Sequence, residues 1–472
     1  MAPDEKVTQS CNIVRTSIIV LLRFIVYRKE GMYNLLLMKL IRPLLEILAL
    51  SALLAACGKA APASQPVLPL WSETAERAVV YSQGASDTQV LISNSSPESG
   101  PFAPYTIPLN AGIRAYLKMV NSSGGIDGRF IRFNHHLDDE GDPALGQEAL
   151  RRMVEDEKIF AIVGHFYSAV AAATVEDIKR YGIPAVDFVS SISELYATGA
   201  QTNAEGYNLF PVQPVFQTEG RLMVGYAAGV FKAETVGIIY TDDIAGENMF
   251  RGIIEQAATL KRLRVAARQV PAAGADAPGI GTQDALSAAV RSLKLEEPDF
   301  IIICSLQYTL PEIIRELAAQ ALRRDCITSF TSTSRSVSDE VLPLIGGDFD
   351  VYGLGWIDMH DTQSINLFGR WIEPEYASTA TAMYGWIAAH FFCEGLRRIE
   401  GEDITWENYM AAMENGPINI PFGGSCDYSG GNRWGTQEMN LQRAIPADEN
   451  FPTGWEEVSP MNSVDALLGR NW

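Results

Sequence analysis

A chain of 472 residues with 47% apolar and 9% aromatic content can form two or three packed domains, and its composition excludes collagen-like and low-complexity proteins. The formal charge is −20: residues 1–56 hold seven Lys/Arg and four Asp/Glu, which leaves 30 basic and 53 acidic residues for the remainder. A body this acidic repels phosphate backbones, which argues against nucleic acid as a partner.

The first 56 residues have the pattern of an export signal. A short basic segment at 38–42 precedes an apolar stretch at 47–56 that ends in small residues. Pro43 and Glu46 leave too few consecutive apolar residues for a membrane-spanning helix, which needs about 20. Residues 1–37 are interpreted as an upstream extension, and the sequence leaves open whether translation starts at the first methionine or at position 38.

Cys57 follows the small residues directly. The segment Leu54-Ala55-Ala56-Cys57 resembles a bacterial lipoprotein signal, which implies that Cys57 becomes the acylated first residue and a lipid anchor on a membrane. A buried cysteine of an apolar segment is the alternative. Residues 57–87 are small, polar and contain proline, so they are predicted to be a flexible tether.

The next part of the chain alternates short β-branched runs with longer amphipathic segments. Strands are predicted at 88–93, 129–134, 159–164 and 183–188. This β-α repetition is typical of a parallel sheet with helices on both faces. After a linker at 208–214 a second cycle begins, with strands predicted at 235–240, 264–270, 299–304, 326–330 and 350–356.

Two successive open sheets predict an α/β fold of two doubly wound, Rossmann-like lobes with a ligand cleft between them. Ligands of such sheets lie beyond the carboxyl ends of the strands. A long helix is predicted at 376–399, a shorter one begins after Thr405, and the glycine-rich stretch 421–435 is predicted to be a crossover loop or hairpin. The proposed boundaries are 88–211 with 358–420 for the N-terminal lobe, 212–357 with 421–445 for the C-terminal lobe, and 446–472 for a tail.

No residue pattern in the chain indicates catalysis, a cofactor or a metal. His135-His136 followed by Asp138-Asp139 is the one cluster of metal-ligating residue types, but adjacent side chains on a strand point to opposite faces. We interpret the cluster as a strand end in contact with water.

Four cysteines lie in the predicted lobes. Cys304 follows an apolar run and is predicted to be a core residue, whereas Cys393 and Cys426 form a possible bridge. The pairing of these thiols and of Cys326 stays open.

Polar and aromatic residues cluster where predicted strands end. Ser168 is predicted to be a helix N-cap, and its hydroxyl and the adjacent backbone N–H groups suit a ligand carboxylate as well as they suit capping alone. Ser190 and Ser191 follow the next strand, and Tyr105 follows the first. A tyrosine in such a loop either packs against the core or forms a wall of the cleft.

Residues 86–443 resemble the leucine/isoleucine/valine-binding type of ABC-transporter substrate-binding protein, which has the type I periplasmic binding fold. The resemblance rests on the stretches SGPFAPY at 99, NSSGGIDGRF through GHFYS at 121–168, TAMYGWIAAHFFCEGLRRI at 381, and FGGSCDYSGGNRWG at 422. It implies two lobes joined by three crossing strands that close around a small molecule.

The resemblance also implies roles for single residues. Ser168 matches the serine that holds a ligand carboxylate, Ser190 and Ser191 match the next contacts, and Tyr105 matches an aromatic wall. In the second lobe, Ala245 stands where amino-acid binders have a tyrosine, and 330–340 lacks a counterpart to the acid that receives the ammonium group. Asp243 is the candidate to replace that acid, and Tyr308 is the candidate wall of the second lobe.

The sequence therefore predicts a lipid-tethered, extracytoplasmic protein on the periplasmic side that captures a small polar solute and delivers it to an ABC permease. Because a buried ammonium without a counter-charge costs several kcal/mol, an amide, a carboxylate or an aromatic acid is as consistent with the sequence as an α-amino acid. A ligand sensor of a signalling system is the alternative. We expect no enzymatic activity, because no base is predicted beside Ser168.

Overall fold

The computed structural model describes residues 78–134, 137–196, 206–273, 279–399, 403–448 and 451–469. The predicted signal, Cys57, most of the tether and the His135-His136 pair lie outside these residues. Of the helices in the described ranges, none combines the length and the apolar character that crossing a bilayer requires.

The first sheet has five parallel strands in the order β2-β1-β3-β4-β5. Its strands are β1 (Gln89–Ser93), β2 (Phe130–Phe133), β3 (Ala161–Phe166), β4 (Ala185–Val189) and β5 (Leu209–Phe210). Its helices are α1 (Ala103–Ser122), α2 (Pro143–Arg151) and α3 (Ser168–Tyr181). β3 is buried along its whole length, as expected for a strand covered by helices on both faces.

The second sheet has seven strands in the order β14-β13-β10-β9-β8-β6-β7. Its strands are β6 (Thr235–Thr241), β7 (Arg264–Val270), β8 (Phe300–Cys304), β9 (Cys326–Thr328), β10 (Val351–Gly355), β13 (Glu438–Ala444) and β14 (Trp455–Ser463). The strands β6 to β10 are parallel to one another, whereas β13 and β14 are antiparallel additions at one edge. The two sheets confirm the predicted α/β fold class.

Helices flank the second sheet and complete the chain. They are α4 (Phe216–Gly229), α5 (Ile244–Ala257), α6 (Gln283–Lys294), α7 (Leu310–Ala319), α8 (Arg335–Ile345), α9 (Thr362–Gly369), α10 (Ala380–Arg398), α11 (Trp406–Met413) and α12 (Val464–Leu468). The predicted hairpin is present as the short strands β11 (Ile418–Asn419) and β12 (Ser425–Cys426). Residues 455–463, which fall in the predicted tail, form β14, because β13 offers an antiparallel edge to pair with.

The chain crosses between the lobes three times. The first crossing segment, 211–215, joins β5 to α4, the second, 356–379, joins β10 to α10, and the third, 427–437, leads into β13. The Thr436 amide donates to the Val212 carbonyl at 2.8 Å. The Tyr428 hydroxyl donates to the Pro211 carbonyl at 2.8 Å. The first and third segments therefore run side by side as a joint between the lobes.

α10 returns to the first lobe and packs closely on α1. A Cβ atom on Gly385 would lie 1.9 Å from the Leu109 carbonyl oxygen, and one on Gly112 would lie 1.9 Å from the Ala382 carbonyl oxygen. Such distances leave no room for a methyl group. Glycine at these two positions thus lets the helix backbones approach and fixes the start of α10 beside the ends of the first sheet.

The four described cysteines are buried free thiols. The prediction that Cys304 is a core residue is confirmed. The possible bridge between Cys393 and Cys426 is not formed. Cys393 is enclosed within α10, whereas the Cys426 thiol lies 3.7 Å from the Val212 carbonyl in the first crossing segment.

For Asp139, the interpretation of this cluster as a strand end in contact with water is wrong. The residue does not face water, because its carboxylate accepts hydrogen bonds from the Ser95 hydroxyl and, at 2.9 Å, from the Gly141 amide. Burial raises the pKa of this carboxyl to about 6. Asp138 is exposed, as predicted.

Candidate ligand-binding cleft

A cavity of about 640 Å³ lies between the carboxyl ends of the two sheets. The first lobe contributes Pro104, Tyr105, Pro108, Phe166, Tyr167, Ser168, Val189 and Ser190. The second contributes Leu306, Gln307, Tyr308, Phe330, Thr331 and residues at the start of α8, and the first two crossing segments contribute Gln213 and the stretch that leads into α10. The cavity therefore has walls from both lobes and a floor from the segments that join them.

Aromatic rings from both lobes meet at one end of the cavity. The ring of Tyr308 lies 5.8 Å from that of Phe102 and 6.4 Å from that of Tyr105. The ring of Tyr167 lies 4.6 Å from that of Phe102. Burial, followed by the influence of Tyr167 and Asp243, raises the pKa of Tyr308 well above its usual value. The structure thus places Tyr105 and Tyr308 in the cavity lining, and ligand contacts by these two residues stay predictions.

Ser168 lies in the cavity wall, although not as the predicted N-cap. It is the first residue of α3, and Tyr167, with φ of 79° and ψ of 129°, takes the cap position. The Ser168 hydroxyl instead lies 3.0 Å from that of Ser190. The sharp turn at Tyr167 shifts the helix start by one residue and turns the two serines of neighbouring strands toward each other.

Ser191 and Asp243 do not line the cavity. Ser191 is fully buried, and its hydroxyl donates to Oε1 of Gln213 at 3.4 Å. Asp243 is the N-cap of α5 and accepts from the Gly246 amide at 2.8 Å. Burial raises the pKa of Asp243. Ligand contacts by these two residues stay predictions.

Charge is confined to the outer edge of the cavity. Its charged lining residues in the part of the chain that the structure describes are Arg335, Asp339, Glu340 and Glu375, all of them exposed. Arg335 and Asp339 lie 3.4 Å apart and form an ion pair with each other. The interior is therefore lined by aliphatic, aromatic, hydroxyl and amide groups.

Gln213 and Thr381 were not predicted from the sequence. Both line the cavity, and the buried atoms Gln213 Nε2 and Thr381 Oγ1 have no hydrogen-bond partner among the described residues. Gln213 was assigned only to a linker, and no motif surrounds it. Its position in the segment that joins the two predicted sheets is the signal that the sequence offers, because such segments form the floor of the cleft.

Glu219 supports the cavity wall from behind. Its carboxyl group accepts from the Phe330 amide at 2.6 Å and from the Ser329 hydroxyl at 2.9 Å. The side chain is fully buried, and burial raises its pKa to about 8. Glu219 thus positions the loop that carries Phe330 and Thr331 into the cavity.

No group of three or more potential metal ligands occurs within the described ranges. His165 is buried, its Nε2 lies 3.1 Å from the Thr174 hydroxyl, and burial lowers its pKa to about 4.

The hydroxyl of Ser168 has Ser190 as its neighbour, at 3.0 Å. Both serines line the cavity, so their hydroxyl groups are placed where they can form hydrogen bonds with a solute.

Comparisons with known proteins agree with the two-lobe geometry. A family model described as "Periplasmic binding protein" matches residues 89–449. The Leu/Ile/Val-binding protein homolog 1 of Brucella suis is 23% identical over 356 residues, which cover 75% of this chain and 90% of the relative.

Two solved structures share the fold. A branched-chain amino acid ABC transporter protein from Thermus thermophilus with bound valine has a TM-score of 0.67 at 16% identity, covering 81% of this chain and 98% of that one. A solute-binding protein from R. palustris in complex with benzoate has a TM-score of 0.64 at 20% identity, covering 81% and 100%.

Proposed function

Because the chain belongs to the periplasmic binding protein family, we propose that it captures a small organic solute outside the cytoplasm and delivers it to an ABC permease. The observation that carries this proposal is the cavity of about 640 Å³ with walls from both lobes and a floor of crossing segments. Closure of the lobes is favoured to the extent that the solute binds the closed form more tightly than the open one. A micromolar dissociation constant, which corresponds to a binding free energy of about −8 kcal/mol, would suffice for this capture.

The solute is proposed to be an amino acid, an amide or a carboxylate. Two proteins of this fold contain valine and benzoate, and both of these ligands carry a carboxylate group. The hydroxyl pair of Ser168 and Ser190 suits such a group. The protein is proposed to bind its solute without altering it.

A thermal-shift screen of the purified protein against amino acids, amides and carboxylates tests solute binding. We expect at least one compound at about 100 times its dissociation constant to stabilise the protein by about 2.7 kcal/mol, because the ligand binds the folded state alone. The stabilising compound should be recovered chemically unchanged after incubation. A complete library without any shift would contradict solute binding, and turnover of the compound would contradict the absence of chemistry.

Attachment through Cys57 is the second part of the proposal. It rests on the lipoprotein-like segment that ends at this residue. With the protein expressed in a bacterial host, a Cys57→Ser variant should lose metabolic labelling by palmitate and move from the membrane fraction to the soluble periplasmic fraction. Cys11→Ser, the same substitution earlier in the chain, is the control and should leave both unchanged. Palmitate labelling that persists in Cys57→Ser would refute the anchor.

A further inference from the structure

Gln213 has an unused hydrogen-bond donor in the floor of the cleft. The residue is only 2% exposed. Its Oε1 accepts from the Ser191 hydroxyl at 3.4 Å, whereas Nε2 has no partner among the described residues. Buried polar groups in folded proteins are almost always paired, so an unpaired donor in a cavity wall indicates a missing acceptor. Thr381, also in the cavity wall, has an unpaired hydroxyl as well.

Four helices begin at this cavity without a side-chain cap. They are α3, α4, α8 and α10, whose N-cap residues Tyr167, Val215, Ser334 and Thr379 make no capping hydrogen bond. The first turn of a helix leaves backbone N–H groups free and carries a partial positive charge, which favours an anion. The Phe216 amide at the start of α4 already donates to the Ser191 carbonyl at 2.9 Å, so this helix end contributes its partial positive charge, whereas Gln213 Nε2 contributes a free donor.

Among the described residues, the buried part of the cavity lining offers apolar faces and no charged side chain as a partner for a cation. Phe166, Phe216 and Phe330 are buried in the wall, and Phe216 stacks on Phe330 with ring centroids 5.9 Å apart. The acidic lining residues in the described ranges are exposed at the outer edge, where Asp339 is paired with Arg335. An ammonium group placed beside the donors would lose its hydration without gaining an anionic partner.

On the basis of the proposed solute-binding function, we propose that the ligand is an aromatic monocarboxylate without an α-ammonium group, and that Gln213 Nε2 donates a hydrogen bond to its carboxylate. The ring of the ligand lies among the aromatic side chains of both lobes. Gln213 thereby favours a carboxylate over a ligand that has no hydrogen-bond acceptor beside Nε2.

Calorimetric titration of the purified protein with 3-phenylpropanoate and with L-phenylalanine tests the ligand class, since the two compounds differ only in the α-ammonium group. We expect 3-phenylpropanoate to bind roughly tenfold or more tightly, because L-phenylalanine must bury an unpaired charge. L-Phenylalanine binding equally well or better would overturn the inference. So would a library screen in which only aliphatic amino acids bind, although the solute-binding function would then stand. Failure of every compound would contradict the function itself.

Two variants test the role of Gln213. Gln213→Met keeps the length of the side chain but removes the donor, and should weaken 3-phenylpropanoate binding roughly tenfold, as for loss of a hydrogen bond to a charged group. Gln213→Glu adds a negative charge and should weaken it further. Gln89→Glu, on the exposed amino end of β1, is the matched control and should leave the affinity unchanged. A Gln213→Met protein with an unaltered melting temperature and unaltered affinity would overturn the assignment.

Discussion

Replacing Arg433 with methionine is expected to lower the free energy of unfolding by about 3–5 kcal/mol, the usual range for removing one partner of a buried ion pair. The Arg433 side chain is fully buried. Its Nη2 donates to Glu414 Oε1 at 2.6 Å and to the Tyr207 carbonyl at 2.7 Å. Its guanidinium also lies 4.6 Å from the centre of the Phe210 ring. Methionine fills much of the space but leaves the Glu414 carboxylate without its partner.

The measurement is chemical unfolding followed by circular dichroism, with Arg323→Met as the control. Arg323 and Asp348 also form an ion pair, at 2.9 Å, but both side chains are about half exposed. Exposed pairs contribute about 0–1 kcal/mol, so the control should change little. Equal losses in the two variants would show that burial of Arg433 does not determine its contribution. Because Arg433 joins the third crossing segment to the end of β5, its loss should also loosen the joint between the lobes.

The contribution of Glu219 to the free energy of unfolding is expected to fall as pH rises from about 4.5 to about 8. The pKa of Glu219 is raised from 4.5 to about 8 in the folded protein by burial. Between these values the unfolded chain releases the proton while the folded chain keeps it, so stability declines with pH. The full effect of this residue is on the order of 5 kcal/mol, complete once the pH exceeds the folded pKa.

Glu219→Gln should remove this part of the pH dependence. Its amide oxygen can still accept from the Phe330 amide, as the carboxyl does at 2.6 Å. Unfolding free energies should be measured at pH 5, 6, 7 and 8. The stability of the variant relative to the unmodified protein should increase at each step. Glu148→Gln, on the exposed face of α2, is the control and should run parallel to the unmodified protein. A variant whose relative stability decreases with rising pH would contradict the assignment.

The sequence predicted the sheets well where strands are continuous apolar runs. The segment 300–304, Phe-Ile-Ile-Ile-Cys, is buried at every position, so a covered parallel strand is its only suitable environment. β14 was missed because its residues are mostly polar, and only the antiparallel edge of β13 turns them into a strand.

The site was predicted in outline but not in detail. Tyr105, Ser168, Ser190 and Tyr308 line one cavity because each follows the carboxyl end of a strand, a position that the chain order reveals. The cap at Tyr167 depends on a positive φ at this residue. A tyrosine in the sequence does not indicate such a backbone conformation. The contact of Glu219 with Phe330 spans 111 positions in the chain, so only the folded structure brings these residues together.

The buried thiols of the two lobes have a consequence for how the protein can be made and kept. Cys304, Cys326, Cys393 and Cys426 are enclosed, unpaired and at most 1% exposed. The described body therefore requires no oxidant to reach its fold and no disulfide to retain it. Its conformational stability should be the same in an oxidising and in a reducing environment.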